Sequence, residues 1–236
     1  MSDAFERTPS RRAFVKSALI MGAALAAPGC TQQAIRVAAT PDVPPPMPPF
    51  VPAPVTVAAP VEPRLPSDMR PELFERALAA LDRHSGRIAN RDRIAIADFS
   101  APSYRNRLHI IDLNGGVPAS MLVAHGIGSD RSHTGYLQRF SNEVNSEASC
   151  EGAFLTSDYY HGINGRSQRL LGLDPTNSNA LDRAIVVHGA WYANRDMLLS
   201  HGKLGRSQGC FAVGEAELAT LFAKLGEGRM IYAAKV

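Results

Sequence analysis

Eleven of the 17 prolines in this 236-residue chain lie between Pro41 and Pro66, mixed with Ala and Val and almost no charge. Each proline fixes φ and lacks an amide hydrogen, so no helix and no central strand can run through such a stretch. It is expected to stay extended, as a disordered Pro/Ala-rich linker over residues 30–66, and it divides the chain into a short head and a long tail. Residues 67–236 are long enough for one domain that buries its own core. With 45% hydrophobic and 20% charged residues the composition is that of a globular protein.

The head carries a basic region, Ser10-Arg11-Arg12-Ala13-Phe14-Val15-Lys16, before an apolar run over residues 18–27. That run is too short to span a bilayer, and a basic region followed by a short apolar one is a signal peptide. Its paired arginines, followed by Phe14 and Lys16, resemble the twin-arginine export motif, so residues 1–29 are expected to direct export. Ala27-Pro28-Gly29-Cys30 resembles a lipobox, which makes Cys30 a lipidation site; cleavage after Ala24-Leu25-Ala26 is the alternative. The expected location is periplasmic, with a lipid anchor to the envelope membrane if Cys30 is acylated. Removing residues 1–29 leaves 21 basic against 20 acidic side chains, from totals of 25 and 22. A nearly neutral chain with no basic block interleaved with aromatics gives no support for a nucleic-acid groove.

In the tail, Leu73, Phe74, Ala77, Leu78 and Leu81 recur at helical spacing, with Ser67 or Asp68 available to cap the start and Gly86 to end it. Shorter β-like runs follow at residues 93–99, 107–113, 120–124, 153–156 and 184–188. A helix at about 215–225 and a closing strand at 229–234 complete a β-rich α+β domain without repeats. The polar segment 129–149 reads as a long loop of the kind that often carries function.

Two stretches place a reactive group where apolar packing gives way to small residues. One is Ala184-Ile185-Val186-Val187-His188-Gly189-Ala190, a strand ending in an imidazole. The other is Gly205-Arg206-Ser207-Gln208-Gly209-Cys210, a turn delivering a thiol. A thiol nucleophile needs a base, most often histidine, and Gly209 permits a backbone path whose amides could face an oxyanion. On the residues alone, a structural histidine with a buried cysteine remains as good a reading as catalysis. Three cysteines, Cys30, Cys150 and Cys210, form no paired zinc pattern and no disulfide framework, and the chemistry calls for neither metal nor cofactor.

His188-Gly189 and Ser207-Gln208-Gly209-Cys210, followed by a helix and a final strand, resemble the signature of the murein L,D-transpeptidases of YkuD-like fold. Val123-Ala124-His125-Gly126, Arg139-Phe140-Ser141-Asn142 and Arg169-Leu170-Leu171-Gly172-Leu173 extend the resemblance to the murein L,D-transpeptidase catalytic domain family, from about Ile88 to the C-terminus. The resemblance implies sandwich-like sheets with a few helices. It implies Cys210 as nucleophile, His188 as base, the Gly189 carbonyl as its orienting group, and Ser207 and Gly209 as shapers of the turn. The implied substrates are peptidoglycan stem peptides, handled by a monomer through a Cys210 acyl-enzyme. An amine acceptor gives transpeptidation, water gives L,D-carboxypeptidase action, and a degenerate site would leave a peptidoglycan-binding module.

Two positions depart from better-known relatives: Gln208 replaces a histidine, and Ala212 replaces a polar or basic residue. Candidate substrate contacts are His125, Asn142, Arg206 and Gln208, with Arg166 a weaker one. For His125 the alternative is a satisfied structural histidine, and His161 and His201 read as loop residues. Cys150 reads as an inert small residue at a strand edge; if its loop borders the cleft, it could pair with Cys210 under oxidation. Both thiols are expected to be free.

Overall fold

The computed structural model describes residues 61–236. The expected signal peptide, Cys30 and residues 30–60 of the expected linker lie outside the described residues.

Helix α1 (Pro71–Arg83) buries Leu73, Ala77, Ala80 and Leu81, the stripe expected from the sequence. Its start is not capped by Ser67 or Asp68: Arg70 occupies the cap position without a side-chain bond, and Pro71 opens the first turn. A proline at that point has the right φ and no amide hydrogen to leave unpaired, and it keeps the preceding residue extended. The helix also stops at His84, before Gly86.

Eight strands follow: β1 (Arg93–Asp98), β2 (Leu108–Asp112), β3 (Ala119–Met121), β4 (Gly152–Gly162), β5 (Gly165–Gly172), β6 (Val186–Gly189), β7 (Phe211–Val213) and β8 (Met230–Ala234). They form one mixed sheet in the order β3-β2-β1-β8-β4-β5-β6-β7. The pairs β1–β8 and β6–β7 are parallel and the others antiparallel. Just past β3, Ala124 bridges to Ala212 in β7, so the two edges of the sheet meet. A sheet curled onto itself gives the two facing walls of a sandwich without splitting in two. The β-rich α+β class is as expected, the sandwich-like walls being parts of one continuous sheet.

Side-chain alternation sorts the two faces. Ala95, Ala97, Phe154, Leu170, Val187, Phe211 and Ile231 point into the central core, which also receives Leu221, Phe222 and Leu225 of helix α3 (Glu215–Leu225). Ile94, Ile96, Ala153 and Met230 point the other way, onto α1. Covered on both faces, β1 is an almost unbroken apolar run.

β4 is much longer than the expected 153–156, and β5 was not expected at all. Together they form a hairpin turned by Ile163-Asn164, with Gly162 opposite Gly165 and a register shift between Thr156 and Tyr159. The outer arms are polar and exposed, so they lack the apolar alternation that marks a strand; Asn164-Gly165 was the available turn signal. Short helix α2 (Asp196–His201) was also missed, having no buried residue to set a periodicity. It belongs to the crossover from β6 to β7 that parallel pairing requires. Its segment packs Ala190, Ala193 and Leu204 on Leu122, Ala124 and Ala212.

Candidate active site

β6 and β7 run side by side with Val187 opposite Phe211 and His188 opposite Ala212. Phe211 and Val187 face the core, whereas Ala212 belongs to the cluster on the opposite face. Carrying that alternation back past the start of β7 puts Cys210 opposite Val186 and on the same face as His188. Strand spacing and rise then set the Cα atoms of Cys210 and His188 about 8 Å apart. The 22-residue interval in sequence is thus closed by the crossover and the parallel register.

His188 is 2% exposed, and its Nδ1–H donates to the carbonyl of Gly189 at 2.9 Å. This bond fixes the tautomer and leaves the Nε2 lone pair as the free basic site. Burial pushes the imidazole pKa down, against the Gly189 bond, which favours the protonated form. Cys210 is half-buried, and its Sγ lies 3.5 Å from the Ala184 carbonyl rather than bonded to His188. Burial pushes the thiol up, outweighing the Val186 amide and the Arg183 charge. With the two shifts opposed in this way, the resting pair is a neutral thiol beside a neutral imidazole.

Ser207 and Gly209 shape the turn. The Ser207 hydroxyl donates to the Cys210 carbonyl at 2.8 Å and accepts the Gly209 amide at 3.1 Å. The Gly209 amide is therefore occupied within the turn, a correction to its expected place in an oxyanion hole. Gly209 itself has φ +112°, and a Cβ there would lie 2.8 Å from both the Ala148 carbonyl and Ile185 Cδ1. Gln208 is exposed and donates to Glu147 at 3.3 Å, tying the turn to the 129–149 loop.

The other expected contacts are engaged by partners of their own. His125 is 1% exposed, with Nδ1 accepting from Arg107 at 2.8 Å and Nε2 donating to Asp130 at 3.3 Å. Burial and the Arg107 charge drive its pKa down to about 3. Burial also lowers Arg107 to about 9, while Asp130, which burial alone would raise, is held low by the Thr134 and Gly135 amides. His125 is thus the satisfied structural histidine, acting on the site only through its carbonyl, which accepts the Ser207 amide at 3.0 Å. Arg206 is bonded to the carbonyls of Asp130 and Arg131, and Asn142 is engaged by Pro175, Ser178 and Asn179. Both brace loops. Arg166 lies over the rings of Tyr159 and Phe222.

Two residues that sequence reading missed pack against the turn that carries the thiol. Tyr192, pushed up to about 12 by burial and by Cys210, packs on Gly205 in the crossover. Arg183, just before β6, inserts its guanidinium under Gly209. Nothing in local sequence distinguishes either from a surface residue. Cys150 is fully buried, and both it and Cys210 are free thiols. Among the described residues no three His, Cys, Asp or Glu side chains gather as a metal site.

The molecule is thus a curled, sheet-rich α+β domain bearing a histidine and a cysteine on neighbouring parallel strands. Residues 66–234 match the family of the L,D-transpeptidase catalytic domain, and the chain belongs to that family. Among solved structures it resembles an L,D-transpeptidase from Mycobacterium smegmatis, at 13% identity and TM-score 0.37, over 61% of this chain and 58% of that one. An L,D-transpeptidase from Stackebrandtia nassauensis matches at 11% identity and TM-score 0.36, over 62% of this chain and 57% of that one. One from Xylanimonas cellulosilytica matches at 14% and 0.37, over 66% and 68%. The chain spans less than two thirds of the first two of these structures. No curated protein matches it.

Proposed function

We propose that this domain is a cysteine acyltransferase of the L,D-transpeptidase type acting on peptidoglycan stem peptides, with Cys210 as nucleophile and His188 as base. The observation that carries the reading is the parallel β6–β7 register, which sets the two side chains on one face while the Gly189 carbonyl leaves His188 Nε2 free. Membership of the family supports the substrate class. The N-terminal export motif and Cys30 support action in the envelope, with the Pro-rich stretch as a stalk.

Cys210 turns about χ1 from the Ala184 carbonyl toward His188, a move between staggered wells. Because the resting pair is neutral, proton transfer from Sγ to Nε2 accompanies attack. The Sγ–C bond forms at the carbonyl of the L-centre of the third stem residue. The C–N bond to the terminal D-residue then breaks, and His188 returns the proton to the leaving amine. An acceptor amine attacks the thioester, closes the crosslink and restores the thiol.

Incubation with disaccharide-tetrapeptides followed by mass analysis tests this. Crosslinked dimer is the expected product, with a single carbapenem adduct on Cys210 in a parallel reaction. Cys210→Ala should stop both, and persistence of either in that variant refutes the assignment. Tripeptide alone would make the domain a carboxypeptidase, and unchanged substrate without adduct a binding module.

A further inference from the structure

Arg183 is the one cation wedged directly against the nucleophile turn among the described residues. Its guanidinium reaches the carbonyls of Ser141, Ser146 and Ala148 and comes within 2.7 Å of Cys150 Sγ. Nη2 lies 3.1 Å from the point where a Cβ on Gly209 would stand, so a side chain there would crowd it. None of these acceptors is a carboxylate, and Nε is buried with no partner. The next residue, Ala184, adopts φ +51°, an unfavourable conformation for a side chain with Cβ, and its carbonyl receives Cys210 Sγ. The backbone is thus bent at the point that slides Arg183 beneath the turn and presents the thiol above it.

We propose that Arg183 is a positioning residue for Cys210: it clamps the Ser207–Cys210 turn to the 141–150 loop and supplies the fixed positive charge against which the thiolate forms. The proposal rests on the acyltransferase reading for its purpose but not for its test. A guanidinium whose partners are neutral carbonyls keeps its charge unneutralised, and a thiolate developing on the turn it packs against is its natural counter-ion. The titratable groups around the turn are His188 from β6, Arg183 from the preceding loop, Cys150 from the segment before β4, Tyr192 from the crossover, and Glu147, bonded to Gln208 from the 141–150 loop. Of these Arg183 is the cation, and Glu147 is the anion, its carboxylate bonded to the exposed Gln208 side chain. Arg183 favours ionisation of the thiol that burial opposes.

The test is the pH dependence of Cys210 alkylation by iodoacetamide, read by peptide mapping on the full chain. Arg183→Gln should raise the midpoint by about one unit, a roughly tenfold slower reaction at a fixed pH below it. Arg183→Lys, which keeps the charge but loses the fork, should recover most of that shift. A purely structural role would instead leave the midpoint unmoved in every folded variant. Ser146→Asp gives a second arm should Arg183→Gln not fold. The Ser146 hydroxyl accepts the Ala148 amide at 3.2 Å, a bond that a carboxylate can also accept while partly neutralising the guanidinium. It should raise the midpoint by a few tenths of a unit. An unshifted midpoint in Ser146→Asp and in any folded Arg183→Gln overturns the proposal. Failure of the wild type to form a carbapenem adduct would sink the acyltransferase reading, while the alkylation result would still stand on its own.

Discussion

His125 makes the domain acid-sensitive by an amount the structure sets. Its ring is sealed between Arg107 and Asp130 and stays neutral down to a pKa of about 3. In the unfolded chain a histidine takes up its proton near pH 6.5. Below that value the unfolded state binds a proton that the folded state refuses, so stability falls as pH falls, by about 1.4 kcal/mol per unit until the folded pKa is reached. Between pH 7.5 and pH 5 the loss from this one ring is about 2 kcal/mol. His188 and His109, also lowered by burial, act in the same direction. The contribution of Asp130 falls away only below the usual carboxylate range, outside this window. His125→Asn keeps an acceptor for Arg107 and removes the titration. Urea unfolding at the two pH values should therefore show the wild type losing about 2 kcal/mol more than the variant. Equal losses would refute the buried neutral histidine and the network built around it.

Gly209→Ala should destabilise the domain by at least about 2 kcal/mol and abolish acyl-enzyme formation, because φ +112° and the Ala148 carbonyl leave no room for a Cβ; denaturant titration with carbapenem labelling measures both. Cys30→Ser should move the protein from the membrane to the soluble envelope fraction. Unchanged fractionation would favour cleavage after Ala26 over a lipid anchor.

Local patterns made much of the fold legible. Leu73, Ala77 and Leu81 marked α1, and 215–225 and 229–234 marked α3 and β8 to within a residue. Such elements declare themselves because one face is buried and the period shows in the residues. The β4–β5 hairpin did not, since its tip is polar and exposed and the buried Ser167 and Gln168 of β5 break the apolar alternation. His188, Gly209 and Cys210 could be singled out as candidates because a sharp turn and a thiol–imidazole pair need particular residue types, and the family resemblance added Ser207.

What sequence alone determined, then, was the apolar runs that become strands and helices, and the choice of Cys210 and His188 as the candidate pair. Tertiary structure alone decided which polar residues attend that pair. Only the parallel β6–β7 register places His188 beside Cys210, and only the folded loops show His125, Asn142 and Arg206 to be braces. Arg183 and Tyr192 reach the turn before Cys210 through a left-handed Ala184 and a crossover, paths with no local signature. Proximity across long stretches of chain is a property of topology, and no period or motif within either stretch encodes it.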